Sequence, residues 1–263
     1  MTACPIHLSS RLPRLPRLPR LPRLDALRGL AMVWMAGFHF SFDLNQYGLI
    51  GRQNFYADPF WTTQRTLIVT LFLLCAGLGQ ALAFEHAARM AWRRWAQIAG
   101  CALLVSAGSW WMFPHSFIWF GVLHAMAVML LLVQLLRPQP GWRVGVERWG
   151  WGLAGALLLL PIWLAHPFFD SRLTGWVGLA THKPITEDYV PLLPWFGVMF
   201  GGWLLGRWLL KRPSMGVLGG GLGALTGLLQ PLARLGRWPL SFYMLHQPVL
   251  LGLLEVWTLL RRA

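Results

Sequence analysis

Hydrophobic stretches of about 20 residues, separated by short polar or basic connections, recur along almost the whole chain. A helix of about 20 residues crosses ~30 Å of hydrocarbon, and backbone groups in lipid must be satisfied within their own segment. The pattern therefore predicts an all-α polytopic membrane bundle with spans over 24–44, 66–84, 95–113, 116–136, 149–166, 191–210 and 238–260. That gives seven transmembrane helices. An eighth stays open at 216–230, "GVLGGGLGALTGLLQ", which is short and glycine-rich: a crossing, a half-helix and a surface segment all fit it. Composition agrees with a membrane protein, since 56% of the 263 residues are hydrophobic, only 12% are charged and 17 are Trp.

Charge then sets an orientation. Placing the N-terminus in the cytoplasm puts most of the 23 Lys and Arg on one side, in successive loops carrying Arg89, Arg93 and Arg94, then Arg137, Arg143 and Arg148, then Arg207, Lys211, Arg212, Arg234 and Arg237. The longest opposite loop, 166–189, carries Asp170, Glu187 and Asp188. A formal charge of +14 is thus accounted for by topology and anionic lipid, without nucleic acid. The bacterial cytoplasmic membrane is the expected location.

Residues 1–23 form a separate arm. Its "RLPRLPRLPRLPRL" repeat places proline at every third position, which forbids α-helix and favours extended polyproline II, so a disordered cytoplasmic arm is expected ahead of a membrane domain at 24–263. A full-length span follows the arm, so no cleavable leader is expected. Cys4, Cys75 and Cys101 lack metal-ligand spacing and read as packing residues; no metal site is expected.

The first span, "LRGLAMVWMAGFHFSFD", carries three groups that a bilayer disfavours: Arg28, His39 and Asp43. His39 and Asp43 are one helical turn apart, close enough for the carboxylate to hold a ring nitrogen. Arg28 lies about three turns earlier on the same face, which puts the imidazole roughly 16 Å from it along the axis. His124 in "FGVLHAMAV" and His246 in "FYMLHQPVL" also fall inside predicted spans. Ionisable groups at such depth face a bundle interior or a wet cavity, so the three histidines suggest a shared polar interior. In the loop at 166–189 and just beyond it, Glu187, Asp188, Tyr189 and Trp195, with His182, Lys183 and Trp176, are of the types that stack on sugars and bind their hydroxyls. The pairs Gly197/Gly201 and Gly202/Gly206 suit close helix packing.

These residues carry a resemblance. "LDALRGLAMVWMAGFHF", with ten residues between Arg28 and His39, resembles the first-span signature of the transmembrane acyltransferases, which include acyltransferase family 3 and the heparan-α-glucosaminide N-acetyltransferase-like catalytic domains. "LGRWPLSFYMLHQPVL" is similar to the last-span motif of the group, and the stretches between look most like bacterial members of the heparan-α-glucosaminide type. The resemblance implies transfer of an acetyl or other acyl group from cytoplasmic acyl-CoA, a co-substrate rather than a resident cofactor, to an acceptor on the far side, often a sugar. A cell-envelope glycan would be the bacterial acceptor, and a homodimer stays open. His39 would be the general base, or would itself carry the acyl group, with Asp43 orienting it. Arg28 would meet a CoA phosphate or a structural carboxylate such as Asp25. In the animal members an asparagine aligns with His39, and the catalytic histidine lies in the following loop. Here that loop, "NQYGLIGRQNFYADPFW", contains no histidine.

Two other classes use the same residues. Deep histidines on facing helices can ligate b-type haem for transmembrane electron transfer. An Arg, His and Asp line can serve a proton-coupled transporter.

Overall fold

The computed structural model describes residues 21–86, 91–136, 143–211 and 226–262, which form eight α-helices, with no sheet among them. These are α1 (Pro22–Gln46), α2 (Pro59–His86), α3 (Trp92–Met112), α4 (Val122–Leu135), α5 (Arg143–Trp163), α6 (Leu192–Leu210), α7 (Thr226–Leu235) and α8 (Pro239–Arg262). Two short 3-10 turns, Pro167–Asp170 and Gly175–Val177, lie between α5 and α6.

Each of the seven predicted intervals meets a helix, and the boundaries move for local reasons. α2 begins at Pro59 because the Asp58 carboxylate accepts the Phe60 N–H at 2.8 Å, so the Asp-Pro pair starts the helix before the apolar run does. α4 begins only at Val122: the residues after Met112 fold back instead, with Ser106 Oγ donating to the Ile118 carbonyl at 2.7 Å and the Ile118 N–H donating to Ser109 Oγ at 2.9 Å. A parallel bridge joins Phe120 to Tyr189, so this turn and the end of the long loop enter the bundle together. Of the open segment at 216–230, residues 216–225 lie outside the described residues, as does the arm up to residue 20. The rest opens α7, whose 10 described residues span about 15 Å. α7 packs on the first turns of α1, where a β-carbon on Gly29 would collide with the Leu232 carbonyl.

The core lies between α2, α3, α4 and α6, around fully buried Leu73, Met129, Met199, Phe200 and Trp203. α2 and α6 approach through glycine: a β-carbon on Gly202 would sit 2.7 Å from the Leu74 carbonyl oxygen, and one on Gly206 would sit 2.6 Å from the Ala81 β-carbon. Gly197 does the same for α5, against the Ala154 carbonyl at 2.9 Å, whereas Gly201 faces open space. Cys75 and Cys101 are free thiols, buried and half-buried.

Among the described residues, two helical stretches are long and apolar enough to cross a membrane, Pro59–Glu85 with mean hydropathy 2.2 and Pro239–Arg261 with mean hydropathy 1.2. Large apolar side chains cover the outside of the bundle, including Trp111 at 85% and Trp163 at 80% exposure, while Asp25 and Asp43 are buried.

Candidate active site

α1 and α8 run side by side in the same direction, with residues 39, 43 and 47 meeting 246, 247 and 255 in order. This register brings the histidines of the first and last helices into direct contact. His39 Nδ1 lies 2.9 Å from His246 Nε2, with ring centroids 5.0 Å apart. His246 Nδ1 lies 2.7 Å from the Tyr243 backbone carbonyl, and Phe242 stacks flat on the His246 ring.

The partners fix the tautomers. A carbonyl oxygen only accepts, so His246 Nδ1 carries a proton and, in the neutral ring, Nε2 is a lone pair. His39 Nδ1 must then be the donor to it, which leaves His39 Nε2 unprotonated. That nitrogen makes no hydrogen bond among the described residues. An imidazole with its basic nitrogen free and its other nitrogen anchored is arranged to accept a proton or to act as a nucleophile.

Asp43 does not do the anchoring. Its two oxygens accept from Gln247 Nε2, at 2.8 and 3.0 Å, and His39 turns to His246. One helical turn of separation allows a contact between His39 and Asp43, but α8 offers each a better-placed partner.

Arg28 is committed to structure. Nη1 donates to Asp25 at 3.0 Å and Nη2 to the Cys75 carbonyl at 3.3 Å, while Gly79 leaves room for the guanidinium on α2. Of the two roles expected for Arg28, the geometry shows the ion pair to Asp25. Replacing it with Ala leaves a buried carboxylate unpaired, and we expect a loss of about 1–3 kcal/mol, read as a lower midpoint of thermal unfolding in detergent.

The long loop reaches inward. Asp188 Oδ2 accepts the Val122 N–H at 2.8 Å, placing the carboxylate at the positive end of α4, with the Tyr243 hydroxyl 3.5 Å away. Burial pushes the Asp188 carboxyl above the ordinary carboxylate range, opposed by the Val122 N–H and by the charges of Lys183 and Arg65. Tyr243 therefore touches both the loop carboxylate and, through its backbone, the histidine pair. Glu187 is exposed and bonded to Ser116 Oγ at 2.5 Å. The Tyr189 hydroxyl donates to the Gly175 carbonyl at 2.6 Å, and burial raises its phenol to about 12, so it braces the loop. Trp195 packs against the core. Asp188 is thus tied toward the histidines; Glu187, Tyr189 and Trp195 are held by loop and core contacts.

The family model described as Heparan-alpha-glucosaminide N-acetyltransferase, catalytic, matches residues 20–248, from the start of α1 through His246 and Gln247 on α8. The chain belongs to this family. No curated protein and no solved structure matches it. Membership makes the protein an acetyltransferase of a membrane-bound family whose co-substrate is acetyl-CoA.

His124 stands apart from the pair. Ser106 gives its hydroxyl proton to Ile118, so it accepts from His124 Nε2 at 3.0 Å, and His124 Nδ1 accepts the Gly121 N–H at 3.3 Å. Both ring nitrogens are occupied in capping α4 and holding the inward turn. His124→Ala should lower the unfolding midpoint, at a cost of about 1–3 kcal/mol for the groups left unpaired, and the folded fraction should still turn over acetyl-CoA. Nor do His39 and His246 form a haem pair, because directly hydrogen-bonded rings leave no space for a macrocycle between them.

Tyr243 and Gln247 are the residues that sequence reasoning missed. Both lie inside "FYMLHQP", three before and one after His246, and helical spacing toward the same neighbour was their available signal.

Proposed function

We propose that this family member transfers acetyl from acetyl-CoA to a sugar acceptor across the bacterial cytoplasmic membrane, with His39 Nε2 as the reacting base. The observation that carries the proposal is the chain of contacts from the Tyr243 carbonyl through His246 to His39, which leaves one basic nitrogen free. The apolar and aromatic exterior over a polar seam supports bilayer residence, since water does not tolerate so continuous an apolar surface. The charge bias supports a cytoplasmic N-terminus, with the donor entering near the start of α1 and the acceptor from the end where α1 finishes. A cell-envelope glycan fits that far side.

The chemistry balances around one nitrogen. The acceptor amine or hydroxyl gives its proton to His39 Nε2 as it attacks the thioester carbonyl. The carbon–sulfur bond breaks, and the departing thiolate takes the proton back, giving acetylated acceptor and CoA thiol. Attack by Nε2 itself, forming an acetyl-imidazole before the acceptor arrives, starts from the same lone pair. In either route the cation that forms on His39 stays shared with His246, whose far proton is fixed to the backbone.

The test uses the full chain in proteoliposomes with acetyl-CoA and two probe acceptors, methyl glucosaminide and methyl glucoside. CoA thiol release that depends on a probe, together with the acetylated probe, is the expected result. Proton-driven uptake of a probe with no acetyl-CoA consumed would overturn the proposal in favour of a transporter.

A further inference from the structure

Asp43 is 3% exposed, yet the only hydrogen-bond partner of its carboxylate among the described residues is one amide nitrogen, Gln247 Nε2. A carboxylate offers about four acceptor positions, so this one is buried with part of its capacity unused. The amide oxygen of the same Gln247 is also buried with no partner among the described residues. Two acceptor groups short of donors therefore sit beside each other, Asp43 one turn along α1 from His39 and Gln247 next to His246. Leaving buried acceptors unmet is costly unless something supplies the donors.

The approach to this place is acidic as well. One turn beyond Asp43, Tyr47 donates to Glu255 Oε2 at 3.1 Å, and among the described residues no Lys or Arg forms an ion pair with Asp43 or Glu255. On the loop side the carboxylates Glu187 and Asp188 have Arg65 and Lys183 beside them. Among the described residues, the seam between α1 and α8 shows no such compensation.

We infer that Asp43 and Gln247 form the binding position for the acceptor, taking hydrogen bonds from a neutral or amino-bearing polyol next to the group that reacts at His39, and that the acidic seam disfavours polyanionic glycans. The inference rests on the acetyltransferase proposal and deepens it by naming the acceptor class. Asp43 is then a specificity residue rather than part of the base.

The experiment compares wild type, Asp43→Asn, Gln247→Leu and Glu255→Gln in the full chain in nanodiscs. Acetyl-CoA is the donor, and methyl glucosaminide and its 6-sulfate are the probe acceptors. Asp43→Asn and Gln247→Leu should each raise the KM for methyl glucosaminide about 10- to 100-fold, as expected for a lost hydrogen bond to a charged or buried group, with a much smaller fall in kcat. Wild type should use the sulfated probe at least about tenfold less well in kcat/KM, and Glu255→Gln should narrow that gap. If an ordered water alone fills the position, acceptor KM stays at the wild-type value, which overturns the inference while wild-type turnover still stands. Equal use of both probes by wild type also overturns it. If wild type releases no CoA thiol with any probe, the acetyltransferase proposal falls and takes this one with it. Should Asp43→Asn fail to fold, Gln247→Leu and the sulfate comparison decide the matter.

Discussion

His39→Ala is expected to lower kcat for acetyl transfer by about 10²- to 10⁴-fold, the range that a positioned acid–base group contributes. The protein should still purify folded in detergent, because the lost ring is half-buried and its one hydrogen bond goes to a side chain that keeps its own backbone anchor. Initial rates of CoA thiol release at saturating acceptor measure the effect. Turnover within a few-fold of wild type would remove His39 from the chemistry. His39→Gln should be no better, since an amide can reproduce the contact to His246 but supplies no basic nitrogen.

His246 is the second large effect, and its variants separate orientation from basicity. His246→Ala removes the acceptor that fixes the proton on His39 Nδ1, so the ring is free to choose the wrong tautomer, and kcat should fall by about 10²-fold or more. His246→Gln offers an amide oxygen that can accept from His39 Nδ1, so part of the lost rate should return. A residue that only packed the helices together would show no such recovery. The comparison is read in kcat, with the circular dichroism spectrum of each variant as the check on folding. If Gln and Ala are equally impaired, His246 acts through something other than the tautomer of His39.

The contrast between these residues and their sequence signals shows what was legible. Hydrophobic runs placed α1 to α6 and α8 as helices, because an apolar stretch has few ways to satisfy its backbone other than as helix, although among the described residues only two are long and apolar enough to cross a membrane and α4 has 14 residues where 21 were expected. The inward turn before α4 was not legible: "MFPHSFIWF" is nearly as apolar as a span, and only the hydroxyls of Ser106 and Ser109, on the preceding helix, mark where the chain folds back. The deep histidines were visible one at a time, since imidazole is rare in lipid. Their partnership was not, because 207 residues separate His39 from His246 and only the register of α1 on α8 joins them. The nearer carboxylate misled for the opposite reason. Spacing of one turn puts Asp43 within reach of His39, but reach does not decide between competing partners, and Gln247 won it. His124 did carry a local sign of its structural role, lying three residues after Gly121 at the start of an apolar helix, where a side chain can turn back to the capping position.

On this mechanism His39 presents an unprotonated Nε2 because His246 holds the proton on Nδ1. The measurement closest to it is nitrogen NMR of the full chain in lipid, with ¹⁵N-labelled histidine and His39→Gln used to assign the His39 signals. The expected spectrum shows a protonated Nδ1 coupled across a hydrogen bond to His246 Nε2, and a pyridine-type Nε2 whose resonance shifts when acetyl-CoA is added. A proton on His39 Nε2 in the resting protein, or a ring with no coupling to His246, would contradict it.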